Sequence, residues 1–297
     1  MCSELPSADD PFHSVSLFSP LCVRVLSHPA PGVVGSSFIG FCAFFLNRNG
    51  LPAEPVVLQE KHTGTGHRPE IVPPEQLERL MSEAVQAFYG KLGTHPSRVI
   101  FYRDGVADSQ FSGVHEHEIL GAKNAFHSFG MDATELVFIV AQKRNAARLF
   151  RVGQDGRVPG GQDGAPRPGT VVDTDIVSHE FDFYLQGAYA LKGTPHPVHY
   201  HVLRNDPQLS SDELQRFTFD LCHLYERCTK SVSLPAPLMW AHIAAFKAPF
   251  LAQGYREQTG DWLETVSSSS GASGTAASNA AVMRTVPEWE KRRLGIA

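Results

Sequence analysis

The first sixty residues carry three short apolar runs separated by polar turn sequences. The runs lie at residues 23–26, 38–46 and 56–59, and Asn47-Arg48-Asn49-Gly50 between the last two is a strong hairpin turn. Short apolar runs bounded by turn residues are typical of β-strands. The pattern therefore predicts three antiparallel strands at the start of the fold.

Beyond these strands, helical periods alternate with further apolar runs. Apolar residues recur every three or four positions after Pro73-Pro74, which predicts a helix that ends at Gly90 and Gly93. A second helix is predicted over residues 114–128. Three of its apolar residues are expected to face inward: Ile119, Leu120 and Phe126. Buried strands are predicted at residues 99–102 and 136–140, and further strands at residues 171–176, 181–185 and 199–203. This alternation indicates an α/β fold.

Two more helices are predicted toward the C-terminus. Ser210-Ser211-Asp212-Glu213 has the signature of a capping box, and the helix that it starts is expected to run to about Arg227. Pro235-Ala236-Pro237 opens the last clear helix, which contains His242 and Lys247.

Composition excludes several classes of protein. Apolar residues make up 42% of the 297 residues, as in ordinary globular proteins, and the net charge of −5 argues against a generally basic surface. The five cysteines contain no CxxC pair, which argues against both a disulfide scaffold and a zinc site. Because the longest apolar run near the N-terminus is too short to span a bilayer and the first ten residues are acidic, we expect no membrane partner and a cytosolic or nuclear location.

One carboxylate is set apart by its position after a buried strand. Asp104 follows the apolar run at residues 99–102, and Asp104-Gly105 is a turn signal. Ligands and catalytic groups gather at the carboxyl ends of strands in α/β sheets, so Asp104 is a candidate functional residue. The alternative is that this carboxylate only starts a turn and caps the next helix.

A basic segment follows the strand predicted at residues 136–140. It contains Lys143, Arg144, Arg148 and Arg151, and no acidic residue interrupts residues 140–151. A network of surface salt bridges would normally interleave acidic residues, so the segment favours an anionic partner. A solvated basic face without a partner is the alternative.

His199 and His201 share one face of a predicted strand because side chains alternate along a strand. A zinc site would need further ligands, and the neighbouring sequence offers no obvious ones. We therefore expect these histidines to be structural or to contact the backbone.

Taken together, these motifs resemble the Piwi domain of Argonaute proteins. Residues 98–106, followed by Gln110-Phe111, are similar to the central motif of that family. Further similar blocks follow in the family order: residues 138–140, 142–144, 148–150, 172–174, 180–185, 199–203, 211–214, 227–233 and 241–242. Residues 199–203 favour the Argonaute branch over the Piwi branch. The resemblance implies a ribonuclease-H-like fold, with a mixed sheet whose antiparallel first strands are flanked by helices.

The resemblance also implies a division of the chain. It covers residues 23–253, which we expect to form the Piwi domain, whereas residues 1–22 match nothing in the family. Residues 254–284, of which 266–281 are rich in serine, alanine and glycine, are predicted to be a flexible insertion, and residues 285–297 are a short charged tail. The domains that anchor the guide ends in relatives are absent, so an N-terminal truncation is expected.

In family members that cut RNA, two divalent metal ions sit among an aspartate, a glutamate, a second aspartate and a fourth residue. By position, the resemblance implies that Glu70, Asp104 and His242 are catalytic and that Asp104 and His242 hold metal. The cofactor would be Mg²⁺ or Mn²⁺, because hard cations prefer oxygen ligands. Val25 stands where the family carries its first aspartate, which normally bridges both metals. We therefore expect no cleavage, and no metal cofactor in that case.

The residues that contact the guide in the family are better preserved. The resemblance implies that six basic residues contact the guide RNA backbone: Lys143, Arg144, Arg148, Arg227, Lys230 and Lys247. Arginine and lysine suit phosphate through charge-assisted hydrogen bonds. Lys247 stands where many relatives carry arginine, so its charge is kept while the bidentate contact is lost.

The expected function is that of a guide-RNA-binding Piwi domain that acts in RNA-mediated gene silencing without cleavage. Its partners would be a guide small RNA, a complementary target RNA and proteins of a silencing complex. One alternative is an active magnesium-dependent slicer endoribonuclease whose true N-terminus supplies the missing aspartate. The other is a protein-interaction module or a non-functional fragment that no longer holds RNA.

Overall fold

The computed structural model describes residues 18–26, 37–45, 55–62, 71–159, 161–178, 181–189 and 195–259. Its strands are β1 (Phe18–Leu26), β2 (Phe38–Ala43), β3 (Val56–Lys61), β4 (Arg98–Asp104), β5 (Glu135–Gln142), β6 (Thr170–Val172), β7 (Asp182–Gln186) and β8 (Val198–Asn205). Its helices are α1 (Pro74–Leu92), α2 (Phe111–Gly113), α3 (Leu120–Ser128), α4 (Ser211–Leu221) and α5 (Ala236–Thr259). A π-helical turn, Val114–Ile119, joins α2 to α3.

The eight strands form one mixed sheet in the order β3-β2-β1-β4-β5-β8-β7-β6. β1 pairs with β2, and β2 with β3, in antiparallel fashion, which confirms the prediction for the start of the chain. β1, β4 and β5 are parallel to one another, whereas β8 runs antiparallel to β5, and β7 antiparallel to β8. The sheet is therefore mixed, as predicted.

Each face of the sheet is covered by helices and has its own apolar core. On one face Phe101 and Phe138 stack at a centroid distance of 4.6 Å and pack with the buried side chains of α1 and α3. On the other face Tyr102 and Tyr200 pack with α4 and α5, where Trp240 is 2% exposed. Successive residues of β4 point to opposite faces, so this strand contributes to both cores.

The inward face of α3 differs from the prediction. Ile119 and Phe126 are buried, as expected, but Leu120 is 48% exposed. The helix instead presents small residues to α1, and a Cβ added at Gly121 would lie 2.6 Å from the carbonyl oxygen of Pro74. A large side chain does not fit where two helices cross so closely, and Leu120 therefore points to solvent.

Two other predicted elements are shorter in the structure. The capping box of α4 is present, with the Ser210 amide donating to Glu213 Oε2 at 2.7 Å, but the helix ends at Leu221 rather than near Arg227. The strand predicted at residues 171–176 is only Thr170–Val172, because Asp175 has a φ of +61°, which no regular strand contains.

Helix α5 lies directly on β2 and contacts β1 and β3 as well. The contact is closest at Gly40, where an added Cβ would lie 2.9 Å from Ala245 Cβ and nearer still to backbone atoms of Ala241 and Ala245. Gln59 on β3 donates a hydrogen bond of 2.7 Å to the carbonyl oxygen of Ala244. The absence of a side chain at Gly40 thus sets how α5 lies against the sheet.

Candidate functional site

The strands place several loops at one edge of the sheet. β1, β4 and β5 are parallel, so Leu26, Asp104 and Gln142 end on the same edge, which we call the carboxyl edge. β8 begins at this edge and β7 ends there, because Leu185 pairs with Val198. The described segments that follow β4 and β5, and residues 187–189 after β7, therefore lie at the carboxyl edge, where α/β sheets commonly bind ligands.

Asp104 is the last residue of β4 and is only 4% exposed. Gly105 follows with a φ of +85°, the region that favours glycine, so the predicted Asp-Gly turn is confirmed. By strand alternation Asp104 shares the face of Tyr102, which packs in one apolar core with Trp240 of α5. His242 lies two residues further along α5 and is half-buried. The structure thus brings Asp104 and His242 to the same side of the sheet.

β1, which pairs with β4 beside Asp104, supplies no second carboxylate. Arg24 of β1 is the residue paired with Asp104, and Val25, the next residue, pairs with Ile39 on β2. The β1 sequence FSPLCVRVL contains no acidic residue at all. Glu70 lies outside the described residues.

A pair of magnesium ions needs several oxygen ligands, including a carboxylate that both ions share. Among the residues that the structure describes, the predicted catalytic set offers one carboxylate and one imidazole, which does not fit such a pair. No metal-dependent cleavage step follows from this set.

The segment that follows Glu70 is held by a buried ion pair. Arg103 Nε donates to Glu118 Oε2 at 2.8 Å, and both side chains are at most 1% exposed. Glu118 Oε1 also accepts a 3.0 Å hydrogen bond from the amide of Val72. The ring of His62 lies 2.9 Å from the carbonyl oxygen of Ile71, and burial lowers the pKa of this histidine. The Glu118 carboxylate in the π-helical turn is therefore bonded both to β4 and to the residues that precede α1.

Three of the predicted RNA-binding residues are exposed in the loop that follows β5. Lys143, Arg144 and Arg148 all face solvent. Two hydrogen bonds hold this loop in place. The Asn145 side chain donates to the carbonyl oxygen of Gln142 at 3.1 Å and to that of Pro197 at 2.9 Å. These bonds tie the basic loop to the start of β8 at the carboxyl edge.

Two more of these residues, Arg227 and Lys230, are exposed in the connection between α4 and α5. Lys230 Nζ lies 5.9 Å from the ring centroid of Tyr189, which follows β7. This contact brings the connection to the end of β7, and hence to the carboxyl edge. We call Lys143, Arg144, Arg148, Arg227 and Lys230 the basic surface. Lys247 is half-buried on α5 and is not included in it.

In the structure a third polar side chain, that of Asp182, lies close to His199 and His201. Asp182 lies opposite His201 in the pairing of β7 and β8, and its Oδ2 is 2.6 Å from Nε2 of His199. One ligand atom from each of these three residues lies within 4.8 Å of the other two. The expectation that no further ligand lies near the histidines is therefore wrong.

Burial alone would raise the pKa of Asp182, but hydrogen bonds from Ser178 and His199 outweigh it, so the pKa of this carboxyl lies below its ordinary value. Burial lowers the pKa of His201, and the neighbouring His199 adds to that effect. Asp182 is therefore ionised and His201 uncharged at neutral pH.

Comparison with known proteins agrees with the fold and its sequence motifs. A model of the Piwi domain family matches residues 63–252. Protein argonaute 18 of Oryza sativa subsp. japonica is 44% identical over 187 residues, which cover 62% of this chain and 17% of that protein. Protein argonaute 7 of Arabidopsis thaliana is 39% identical over 196 residues, which cover 65% of this chain and 19% of that protein. The chain thus spans less than a fifth of either relative.

Among solved structures, the C-terminal lobe of a budding yeast Argonaute has a TM-score of 0.69 at 26% identity, over 84% of this chain and 50% of that one. Kluyveromyces polysporus Argonaute with a guide RNA has a TM-score of 0.68 at 27% identity, and the match covers 82% of this chain and 27% of that one. Drosophila Piwi is similar in fold, with a TM-score of 0.64 at 22% identity. This match covers 79% of this chain and 30% of that one. These likenesses confirm the predicted ribonuclease-H-like fold. With most of its length matched by the family model, the chain belongs to the Piwi domain family and has Argonaute proteins as relatives.

Proposed function

We propose that this chain binds a guide small RNA through the basic surface and acts in RNA-mediated gene silencing without cutting its target. The observation that carries the proposal is the convergence of two exposed basic segments at the carboxyl edge of a Piwi domain. The similar K. polysporus Argonaute was crystallised with a guide RNA, which supports a nucleic-acid partner here. The further partners would be a complementary target RNA and proteins of a silencing complex, in the cytosol or the nucleus.

The chemistry of the basic surface suits an RNA backbone. Lysine and arginine bind phosphate oxygens by charge-assisted hydrogen bonds, and such contacts position a nucleic acid without reading its sequence. Sequence would then be read by base pairing between guide and target, as in other RNA-guided systems. Lys247 on α5 would add a cation on the helix that carries His242, without the bidentate grip of arginine.

The absence of an acidic residue in β1 supports binding without cleavage. In this proposal Asp104 and His242 are the remaining members of a former metal-binding set, and Glu70 would be the third. Val25 would replace the carboxylate that both metal ions share.

The proposal predicts RNA binding that weakens steeply with salt. Fluorescence anisotropy of the full chain with a labelled, 5′-phosphorylated single-stranded RNA should show log Kd rising linearly with log salt concentration, because bound phosphates release counterions. Lys143→Glu should weaken binding about tenfold or more and reduce the salt slope by about 1. Lys143→Glu/Arg144→Glu should abolish binding. The matched control is Lys123→Glu, an exposed lysine on α3 outside the basic surface, which should bind as the wild type does.

Three results would count against parts of the proposal. Unchanged affinity in the double variant would exclude Lys143 and Arg144 from the binding surface. A wild-type chain without salt-dependent RNA binding would favour a protein-interaction module. Cleavage of guide-matched RNA that requires Mg²⁺ or Mn²⁺ and is lost in Asp104→Asn would show that the chain is a slicer.

A further inference from the structure

We propose that Asp182, His199 and His201 form a binding site for a divalent transition metal ion of the zinc class. The site lies on β7 and β8, apart from the predicted catalytic residues on β4 and α5. It does not depend on whether the basic surface binds RNA.

The strand register is what brings the three groups together. Asp182 pairs with His201 across β7 and β8, and His199 lies two residues along β8, on the same face of the sheet. Each residue offers one ligand atom, and the three atoms lie within 4.8 Å of one another. In a tetrahedral zinc site with bonds of about 2.0–2.1 Å, neighbouring ligand atoms are about 3.4 Å apart. Side-chain rotations alone could bring the three atoms to that spacing.

The ligand side chains are already oriented by their neighbours. Ser178 Oγ donates to Asp182 Oδ1 at 2.8 Å, which leaves the other carboxylate oxygen directed at His199. The His199 ring stacks on Tyr184 at a centroid distance of 4.0 Å and lies 3.9 Å from the His201 ring. Outer hydrogen bonds of this kind orient the ligands of metal sites and tune their affinity.

The donor set indicates which metal would bind. Two imidazoles and one carboxylate suit zinc and similar borderline ions, whereas magnesium prefers an all-oxygen set. Asp182 is buried, but the His199 side chain is 13% exposed, so solvent can reach the cluster and water can fill a fourth position. Gln142, whose Oε1 lies 3.3 Å from His201 Nε2, supplies a further oxygen beside the same ring.

A bound ion would have a structural consequence at the carboxyl edge. It would cross-link β7 to β8 next to Gln142, the residue that precedes Lys143 of the basic surface. It would also replace a hydrogen bond between Asp182 and His199 with two stronger metal–ligand bonds. The expected result is a more stable outer half of the sheet when zinc is present.

Isothermal titration of the full chain with Zn²⁺ tests the site. We expect one equivalent to bind, and the same site to take up Co²⁺ with the visible absorption of a tetrahedral complex. His199→Gln/His201→Gln should lose this equivalent. Ser178→Ala, which removes only an outer hydrogen bond, should bind zinc about 10–100-fold more weakly while the chain stays folded.

Because the chain contains 14 histidines, weak zinc binding elsewhere must be separated from this site. His127→Gln is the matched control, since His127 lies 2.8 Å from Asp132 in an exposed pair without a third ligand near it among the described residues. This variant should keep the equivalent of zinc. The proposal is overturned if the wild type takes up no stoichiometric zinc, or if the double histidine variant, folded by circular dichroism, binds as the wild type does.

Discussion

Replacing Glu118 with alanine should lower the free energy of unfolding by about 3–5 kcal/mol, the usual cost of removing one partner of a buried ion pair. Arg103 would keep its charge at 0% exposure without the carboxylate that it contacts at 2.8 Å. The Val72 amide would also lose its 3.0 Å acceptor. Since most domains are stable by only about 5–15 kcal/mol, the loss should be visible in urea unfolding.

Two further variants separate charge from packing. Arg103→Met/Glu118→Gln removes both charges but keeps an acceptor for the Val72 amide, so it should recover at least half of the loss. Glu116→Gln is the matched control, because Glu116 is exposed in the same π-helical turn and should change stability by no more than about 0.5 kcal/mol. A loss below about 1 kcal/mol in Glu118→Ala would show that the pair is not held as described.

Gly40→Ala should lower the free energy of unfolding by about 3 kcal/mol, at the upper end of the cost of overpacking a core. The added methyl group would meet Ala245 Cβ at 2.9 Å and backbone atoms of α5 at shorter distances. Backbone of β2 and α5 would have to separate, which would also loosen the contact between Gln59 and Ala244. Thermal and urea unfolding of the purified variant measure the effect.

Gly90→Ala is the control for the Gly40 substitution. Gly90 lies inside α1, and nothing comes within 4 Å of a Cβ added there. Alanine is a better helix former than glycine by about 0.5–1 kcal/mol, so this variant should be more stable than the wild type. If both alanine variants change stability in the same direction and by similar amounts, close packing at Gly40 is not the cause.

Local sequence patterns were sufficient for the strands and helices that are strongly apolar. The run at residues 99–102 and the turn at Asp104-Gly105 predicted β4 and its end correctly, because a buried strand needs a continuous apolar sequence. The capping box at Ser210 and Glu213 likewise marked the start of α4. The ribonuclease-H-like fold followed from the order of such blocks and their resemblance to a family.

Features that depend on contacts between distant segments could not be read in this way. Leu120 was expected inside because it is large and apolar, yet the inner face is set by the crossing of α1 and α3. The pairing of Asp182 with His201 depends on the register of two strands whose connection is eleven residues long, from 187 to 197, and no local signal fixes that register. The Arg103–Glu118 ion pair joins β4 to the π-helical turn, and no sequence motif connects these two segments.

The strand order has an evolutionary consequence. β4 stands between β1, which ends beside Asp104, and β5, which leads into the basic surface. A mutation at the end of β1 can therefore remove a carboxylate without disturbing the backbone that holds the basic loop. Under the proposed function, loss of cleavage and retention of RNA binding therefore need only a substitution in β1. Under that proposal, the strand pair β5–β8, which carries the basic surface into the sheet, stays unchanged when the end of β1 changes.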